Sequence, residues 1–309
     1  MPKILLLSDD PELTAKTKAA APGYDVIVGF ENPGGADIAV TQGFGRTVGA
    51  VIDNSPNLRW VQTWSAGVDA VPLDKLKERG IYLTNASGVH AKPISESVFA
   101  FMLAAARGLY HSAEAQYEGK WNPRVELREI HGAVLGILGA GAIGAETARI
   151  AKAFGMKTLG FARREGAREN FDTVTADINA VLSESDYVVN ILPHTKDTRG
   201  IMGAEQFAKM KPSAMYISVG RGPTTDFDAL AAALNSAAIA AAGVDVTVPE
   251  PLPDGHPLFS VPNLYITPHI SGGTPYYQSR ASEIFIENLK SFVSTGKPCR
   301  NIVDLDAGY

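Results

Sequence analysis

Residues 132–164 read GAVLGILGAGAIGAETARIAKAFGMKTLGFARR, and this stretch decides the fold of the chain. Its first apolar run, Val134–Leu138, has the length and composition of a buried strand. The run is followed by the glycines of a G-x-G-x-x-G turn, Gly139, Gly141 and Gly144. Apolar residues then recur at helical spacing before a second apolar run begins. The pattern therefore predicts a strand, a tight turn, a helix and a second strand.

This turn predicts a binding site for a dinucleotide. Glycines let the backbone turn tightly and approach a pyrophosphate, and the N-terminus of the following helix offers free N–H groups to the phosphate oxygens. We therefore expect the cofactor to contact the backbone at Gly139, Gly141, Ala142 and Ile143. The alternative is a tight strand–helix turn in a domain that binds no cofactor. The strand–turn–helix–strand context favours cofactor binding.

The end of the second strand indicates which dinucleotide is bound. Chains that bind NAD usually carry Asp or Glu there, because a carboxylate accepts hydrogen bonds from the ribose hydroxyls. This chain has Ala162, Arg163 and Arg164 instead. A guanidinium binds a phosphate in a charge-assisted pair, so we predict that Arg163 and Arg164 favour NADP(H) over NAD(H). The alternative is that both arginines lie on a solvated loop and are reoriented by Glu165.

The composition excludes several classes of protein. An apolar content of 45% and a charged content of 20% are typical of a globular protein, and a net charge of −5 offers no field that attracts nucleic acid. The single cysteine, Cys299, permits neither an internal disulfide nor a cysteine-rich metal site, as is usual in a reducing cytoplasm. The N-terminal apolar run is too short for a signal peptide or a membrane span. We therefore expect a cytoplasmic protein without a metal site that binds neither nucleic acid nor a membrane.

Short apolar strands alternate with helical patterns along the chain, which predicts the α/β class and parallel sheets. The first group of predicted strands is Ile4–Leu7, Asp25–Gly29, Ile38–Val40, Trp60–Trp64 and Ile81–Thr84, with helices at Pro11–Ala20 and Leu73–Arg79. The second group is Val134–Leu138, Thr158–Ala162, Tyr187–Ile191, Ala214–Val219, Ala241–Val246 and Leu264–Thr267. Two groups of strands predict two domains. The second group has the six strands of a complete doubly wound dinucleotide domain.

Two further helices complete the predicted organisation. The segment Ile94–Arg107 is apolar on most sides, which predicts a helix buried between the domains. The pair Thr274–Pro275 is typical of a helix start, and the final helix would continue to about Phe292 and pack back on the first domain. We predict a doubly wound (Rossmann) cofactor domain over residues 99–274 and a smaller, flavodoxin-like α/β substrate domain formed by residues 1–98 and 275–309. The ligand is expected between the domains, at the carboxyl ends of the strands.

Three polar residues follow predicted strands of the second group. Arg221 follows Ala214–Val219, Glu250 lies in the loop after the next strand, and His269 follows the last strand. Loops at the carboxyl ends of a parallel sheet are where substrate groups bind, so these residues are candidates for the chemistry. Each also has a structural alternative: His269 as a loop residue that caps a helix, Glu250 as surface charge, and Arg221 as a structural side chain between two glycines.

At these residues the chain resembles the D-2-hydroxyacid dehydrogenase family, and the resemblance covers nearly the whole chain. It rests on the glycine-rich turn and on five other segments, which are WSAGVD (64–69), GVHAKPISE (88–96), VGRG (219–222), DVTVPEPLP (245–253) and TPHI (267–270). The chain departs from the family pattern at Ser218, where Asn is common, and at Pro223–Thr224–Thr225, which replaces a run of small apolar residues.

The resemblance implies the reduction of a 2-keto acid, or the oxidation of its D-2-hydroxy acid, by hydride transfer. It implies that Arg221 binds the substrate carboxylate and carbonyl and that His269 is the acid/base, with Glu250 as its partner. A ketone that accepts a hydride builds negative charge on oxygen, so a proton donor is needed, and histidine exchanges a proton near neutral pH. A neighbouring carboxylate favours the protonated ring, and a guanidinium can bind a carboxylate through two donors.

The resemblance implies further contacts and a subgroup of the family. Asp245 would lie near the nicotinamide carboxamide, and the backbone at Ala66 and Gly67 would hold the substrate carboxylate. The arginine pair at 163–164 is similar to that of the NADPH-using glyoxylate/hydroxypyruvate reductases, so we expect a small 2-keto acid as substrate and a homodimeric enzyme. Two other functions stay open: a nucleotide-sensing binding protein like the corepressor relatives, and an NAD-dependent formate- or phosphite-type dehydrogenase.

Overall fold

The computed structural model describes residues 1–29, 35–42, 45–124 and 126–308. Its strands are β1 (Lys3–Leu6), β2 (Asp25–Val28), β3 (Ile38–Thr41), β4 (Trp60–Thr63), β5 (Tyr82–Thr84), β6 (Val134–Leu138), β7 (Lys157–Phe161), β8 (Thr173–Thr175), β9 (Tyr187–Asn190), β10 (Met215–Ser218), β11 (Ala241–Val244) and β12 (Leu264–Ile266). Its α-helices are α1 (Pro11–Ala20), α2 (Gly45–Asn54), α3 (Leu73–Glu78), α4 (Ala91–Ala106), α5 (Leu109–Tyr117), α6 (Ala142–Ala153), α7 (Ile178–Glu184), α8 (Ala204–Lys209), α9 (Phe227–Asn235) and α10 (Tyr277–Thr295). Both sheets are parallel and flanked by helices, which confirms the α/β class.

The chain divides into two units. The first unit consists of Met1–His90 and Thr274–Tyr309, and the second unit is Ala91–Gly273. The sequence places the first boundary at residues 98–99, eight residues later than the structure does. The reason is α4, a continuous helix that starts at Ala91 and packs against α6 and β10 of the second unit. Its predicted place between the domains stays a prediction.

The first unit is built on a five-stranded parallel sheet with the strand order β2-β1-β3-β4-β5. This order is the flavodoxin-like one, as the sequence predicts. Helix α10 packs in the same core as β1 and β4, where its buried side chains Phe285, Leu289 and Phe292 lie with Ile4 and Trp60. Burial of these large apolar side chains stabilises this unit.

The second unit is built on a seven-stranded parallel sheet with the order β12-β11-β10-β9-β6-β7-β8. The chain runs from β6 outward to β8 and then returns to β9 on the other side of β6, so the strand order reverses between β6 and β9. That reversal marks the ligand-binding edge of a doubly wound sheet. The Rossmann architecture is confirmed. The prediction of six strands was wrong, because β8 has only three residues and no apolar run.

The start of the final helix differs from the prediction. Helix α10 begins at Tyr277, because Thr274 Oγ1 accepts a hydrogen bond from the Tyr276 N–H (3.2 Å) and closes a turn before the helix. The helix ends at Gly296, whose φ of +77° is easily adopted by glycine and whose N–H donates to the carbonyl of Phe292 (2.8 Å). Within the described ranges, none of the helices has both the length and the hydropathy that crossing a bilayer requires.

Candidate active site

The turn between β6 and α6 requires glycine at two positions. Gly139 has a φ of +113°, a backbone conformation that other residues rarely adopt. A β-carbon at Gly144 would lie 2.2 Å from the carbonyl oxygen of Gly139, so α6 packs directly on the turn that precedes it. The tight turn predicted from the motif is therefore formed, and its shape depends on the missing side chains.

The start of α6 has the features that a bound pyrophosphate needs. Gly141 is the N-cap residue, and no side chain in the described part of the chain caps the helix. A β-carbon built at Gly141 meets no atom within 4 Å, so the space in front of the turn is open. The N–H groups of Ala142 and Ile143, in the first turn, have no partner within the helix. Open space and unpaired N–H groups fit the phosphate oxygens of a dinucleotide.

Arg163 and Arg164 lie exposed just after β7, where the adenosine ribose is expected. The carboxylate of Glu165 accepts hydrogen bonds from Thr175 Oγ1 and from the N–H of Ala176, both at 3.1 Å. These contacts hold the Glu165 carboxylate at the end of β8.

Arg168 also belongs to this region, and the sequence pattern does not single it out. Its Nη1 donates to the carbonyl of Ala140 (3.1 Å), and its Nη2 donates to the carbonyl of Arg164 (3.2 Å). The guanidinium thus links the glycine-rich turn to the arginine loop. Position 168 lies in the charged run REGARE (164–169). Only the separation of four residues from Arg164 in the sequence points to such a contact.

The candidate catalytic residues follow three neighbouring strands of the second unit. Arg221 follows β10, Glu250 lies in the loop after β11, and His269 follows β12. These strands are adjacent and parallel, so their carboxyl ends lie along one edge of the sheet. The glycine-rich turn follows β6 at the same edge, with β9 between β6 and β10.

His269 and Glu250 are in direct contact. The Nδ1 of the imidazole forms a short hydrogen bond with Oε1 of the carboxylate, and both side chains are partly exposed, at 48% and 40%. The contact fixes the orientation of the ring and leaves Nε2 as the nitrogen that can exchange a proton with a ligand. His269 has a φ of +54°, an uncommon conformation for a residue with a side chain, which marks this loop as tightly constrained.

Asp245 supplies that constraint. Its side chain is buried, and its carboxylate accepts hydrogen bonds from Thr267 Oγ1 (2.5 Å) and from the N–H groups of Ile270 (2.9 Å) and Ser271 (3.0 Å). Its carbonyl accepts from the N–H of His269 (2.8 Å). Asp245 therefore holds the loop on both sides of His269, a role that the sequence does not indicate. Its contact with a nicotinamide carboxamide stays a prediction.

The backbone at Arg221 is held between two other segments by the glycines that flank it. A β-carbon at Gly220 would lie 2.7 Å from the carbonyl oxygen of Leu192, and one at Gly222 would lie 2.2 Å from that of Thr247. The side chain is half-buried, and its Nη1 donates to the carbonyl of Gly220 (3.0 Å). The two glycines thus place Arg221 at a defined point of the edge, next to the loop that leads to Glu250.

Ala66 and Gly67, in the first unit, form part of a turn after β4. The carbonyl of Ala66 accepts a hydrogen bond from Asn85 Nδ2 (2.9 Å), and that of Gly67 accepts one from Ser65 Oγ (2.7 Å). Among the residues that the structure describes, no backbone carbonyl accepts from the N–H of either residue. A turn with its carbonyls held and its N–H groups outside the backbone hydrogen bonding can bind a carboxylate.

Comparison with known proteins identifies the family. The model of the D-isomer specific 2-hydroxyacid dehydrogenase NAD binding domain matches residues 99–271. Glyoxylate/hydroxypyruvate reductase B of Pectobacterium carotovorum is 37% identical, over 79% of this chain and 78% of that protein. The chain belongs to the D-isomer specific 2-hydroxyacid dehydrogenase family. It is therefore an oxidoreductase with a dinucleotide-binding domain.

Solved structures of D-2-hydroxyacid dehydrogenases agree with the fold. A family member from Aeromonas salmonicida is 32% identical and has a TM-score of 0.84, with 99% of each chain covered. A D-isomer specific 2-hydroxyacid dehydrogenase from Xanthobacter autotrophicus, solved in complex with NADPH and MES, is 29% identical and has a TM-score of 0.82, with 100% of this chain and 99% of that chain covered.

We expect Gly141→Ala to weaken dinucleotide binding without destabilising the protein. The added β-carbon meets no protein atom within 4 Å but enters the space through which a pyrophosphate approaches the backbone. The Kd for NADH and for NADPH should each rise about tenfold or more, which is roughly 1.4 kcal/mol. Fluorescence titration measures the Kd, and a thermal melt should show an unchanged Tm.

Gly203→Ala is the matched control for this substitution. Gly203 is also the N-cap glycine of a helix, α8, and a β-carbon there would lie 3.6 Å from its nearest neighbour, an ordinary contact. The control should leave both Kd and Tm unchanged. Wild-type affinity of Gly141→Ala for both cofactors would mean that the pyrophosphate does not approach this turn.

Proposed function

We propose that this enzyme reduces a small 2-keto acid, such as glyoxylate or hydroxypyruvate, to the D-2-hydroxy acid with NADPH. The observation that carries the proposal is the hydrogen bond between His269 and Glu250, at the edge of the sheet where Arg221 and the glycine-rich turn also lie. The name of the relative from Pectobacterium, glyoxylate/hydroxypyruvate reductase B, supports the substrate class.

In the proposed reaction, His269 supplies the proton. The backbone at Gly139, Gly141, Ala142 and Ile143 would hold the cofactor, which would supply the hydride for the keto carbon, so negative charge would develop on the keto oxygen. Nε2 of a protonated His269 donates a proton to that oxygen, so hydride and proton together make the secondary alcohol. Glu250 stabilises the protonated ring through Nδ1 and holds it in one orientation. The neutral ring then regains a proton from solvent before the next turnover.

Arg221 and the turn at Ala66–Gly67 bind and orient the substrate in this proposal. The Arg221 guanidinium can donate two hydrogen bonds to the 2-keto carboxylate or share its donors between carboxylate and keto oxygen. Binding in this way polarises the carbonyl and presents one face of the keto carbon to the hydride donor. The N–H groups of Ala66 and Gly67 would complete the carboxylate site.

The preference for NADPH rests on Arg163 and Arg164. Their exposed position after β7, with the Glu165 carboxylate bound at the end of β8, supports contact with a 2′-phosphate. The NADPH complex of the Xanthobacter relative is a further support. We also propose a cytoplasmic homodimer, on the strength of the family resemblance and of the single cysteine.

Initial rates with glyoxylate, hydroxypyruvate and pyruvate, each with NADPH and with NADH, test this function. We expect the highest kcat/KM for glyoxylate or hydroxypyruvate with NADPH. Oxidation of formate or phosphite with NAD as the main activity would contradict the proposal. Binding of NADPH without turnover of any of these acids would point to the nucleotide-sensing alternative.

His269→Ala should remove most of the turnover and leave cofactor binding intact. A positioned general acid contributes about 10²- to 10⁴-fold to the rate, so kcat should fall by that factor. Glu250→Gln, which keeps a hydrogen-bonding group but removes the charge, should lower kcat less. The NADPH Kd is measured on the same samples. His111→Ala, an exposed histidine on α5, is the control and should behave as wild type; near-normal turnover of His269→Ala would remove His269 from the mechanism.

Charge reversal of both Arg163 and Arg164 to Glu should reverse the cofactor preference. A hydrogen bond to a charged group contributes about 1.5–3 kcal/mol, so the KM for NADPH should rise about 10- to 100-fold or more. The KM for NADH should change little, because NADH has no 2′-phosphate. Lys209→Glu with Lys290→Glu makes the same change of net charge at exposed helical positions and serves as the control. An equal effect on NADPH and NADH would contradict the assignment of these arginines.

A further inference from the structure

A buried network of polar side chains lies beneath the backbone of Arg221. It connects the end of β9, the middle of β10 and the 3₁₀ turn Gly222–Thr224, and its members are Asn190, Tyr216, Thr224 and Thr225. All four are at most 5% exposed. Buried polar groups cost free energy unless they are hydrogen-bonded, so such a cluster requires an explanation.

Asn190 orients the network. Its Oδ1 accepts a hydrogen bond from the N–H of Leu192 (3.1 Å), so its amide N–H groups face the other way. Nδ2 has two hydrogens, and each has an acceptor: the hydroxyl of Tyr216 (2.9 Å) and that of Thr224 (3.0 Å). Both hydroxyls receive a hydrogen bond from the amide, and each is therefore left to donate its own proton elsewhere.

The Thr224 hydroxyl donates to the carbonyl of Arg221. The distance is 2.7 Å, and the N–H of Thr224 donates to the same carbonyl at 3.1 Å. Two donors occupy both lone pairs of this oxygen and fix the plane of the peptide that joins Arg221 to Gly222. Because the hydroxyl also accepts from Asn190, the chain of hydrogen bonds is polarised toward the Arg221 carbonyl.

Tyr216 and Thr225 complete the network on its other side. The Tyr216 hydroxyl lies 2.7 Å from Thr225 Oγ1. Burial raises the pKa of the Tyr216 phenol, against the smaller opposing effect of its hydrogen bonds to Thr225 and Asn190, so the hydroxyl keeps its proton as a donor. This contact holds Tyr216 in place, and Tyr216 in turn holds the amide of Asn190.

We propose that Thr224, supported by Asn190 and Tyr216, is a positioning residue for Arg221. The glycines at 220 and 222 fix where the Arg221 backbone lies, and the hydroxyl of Thr224 fixes the rotation of its peptide plane. That rotation helps to set the direction of the Arg221 Cα–Cβ bond, from which the side chain with its guanidinium extends. The consequence for substrate binding rests on the proposed function, in which this guanidinium binds the carboxylate of a 2-keto acid.

Thr224→Val tests this assignment, because valine has nearly the shape of threonine and lacks the hydroxyl. A small misplacement of a binding group reduces catalysis about 10- to 100-fold, so kcat/KM for glyoxylate should fall by that factor, mainly through KM. The NADPH Kd should stay unchanged. Thr224→Ser, which keeps the hydroxyl, should stay within about threefold of wild type, a difference of roughly 0.65 kcal/mol.

Thr17→Val is the matched control. Thr17 is also fully buried, and its hydroxyl also donates to a backbone carbonyl, that of Leu13 at 2.7 Å, in helix α1 of the first unit. The substitution removes one buried hydrogen bond of the same kind and should lower the Tm, though by less than Thr224→Val, which also leaves Asn190 Nδ2 without one of its acceptors. It should leave the KM for glyoxylate unchanged, which separates a loss of stability from a loss of positioning.

A double variant shows whether Thr224 acts through Arg221. In the background of Arg221→Lys, Thr224→Val should cause no further loss of kcat/KM, because the group that it positions is already absent. A second loss of the same size as in the wild-type background would mean that Thr224 acts elsewhere, and it would overturn the proposal.

The NMR signal of the Arg221 Nε–H group gives a readout that does not depend on activity. The signal is assigned in ¹⁵N-labelled protein by its disappearance in Arg221→Lys. It should shift in Thr224→Val and stay in place in Thr224→Ser and in Thr17→Val. An unmoved signal in Thr224→Val overturns the inference, as does a shifted signal with an unchanged kcat/KM in an active enzyme. If the wild type reduces no 2-keto acid, the proposed function fails, and the signal alone decides whether the network orients Arg221.

Discussion

At three glycines in two turns of the second unit, one backbone segment lies so close to another that no β-carbon fits between them. A β-carbon at Gly144 would lie 2.2 Å from the carbonyl oxygen of Gly139, one at Gly220 would lie 2.7 Å from that of Leu192, and one at Gly222 would lie 2.2 Å from that of Thr247. Contact of this kind fixes distances more tightly than side-chain packing, because a backbone atom has no rotamer into which it can move aside. The glycines therefore determine where the glycine-rich turn and the Arg221 loop lie relative to the strands of this unit.

Position alone does not orient a side chain, and two buried residues supply the orientation. Asp245 accepts hydrogen bonds on both sides of His269, and Thr224 donates to the carbonyl of Arg221. In both cases the buried residue acts on the backbone that carries a candidate catalytic residue. Groups that are held before the substrate arrives need no reorganisation during the reaction, which is a large part of what an active site contributes to the rate. The partly exposed His269–Glu250 pair lies on a loop whose backbone is already held by the buried Asp245.

The sequence predicts what depends on local pattern. The glycine-rich turn, the alternation of strands and helices, and the polar residues after β10, β11 and β12 are all visible as short motifs. The strand β8 was not predicted, because three residues are too few to show a hydrophobic period. The helix α4 was predicted, but its apolar sequence does not indicate which unit it packs in. The hydrogen-bond network around Tyr216 could not be predicted from the sequence for a different reason. The two hydrogen bonds that Asn190 Nδ2 donates join residues 26 and 34 positions apart, and an Asn or Tyr within a buried strand looks the same in the sequence whether or not it has a partner.

Local motifs in the sequence also indicate how the cofactor is bound, whereas the contact between those motifs is visible only in the structure. In the proposed function the glycine-rich turn binds the pyrophosphate, which NAD and NADP share, whereas Arg163 and Arg164 would distinguish the two only through the 2′-phosphate. From the motifs these are independent features. Arg168 connects the turn and the loop, because its planar guanidinium donates to the carbonyl of Ala140 in the turn and to that of Arg164 in the loop. Two carbonyls bound by one rigid group cannot move apart without losing a hydrogen bond. The loop that carries Arg163 and Arg164 is thus held close to the glycine-rich turn.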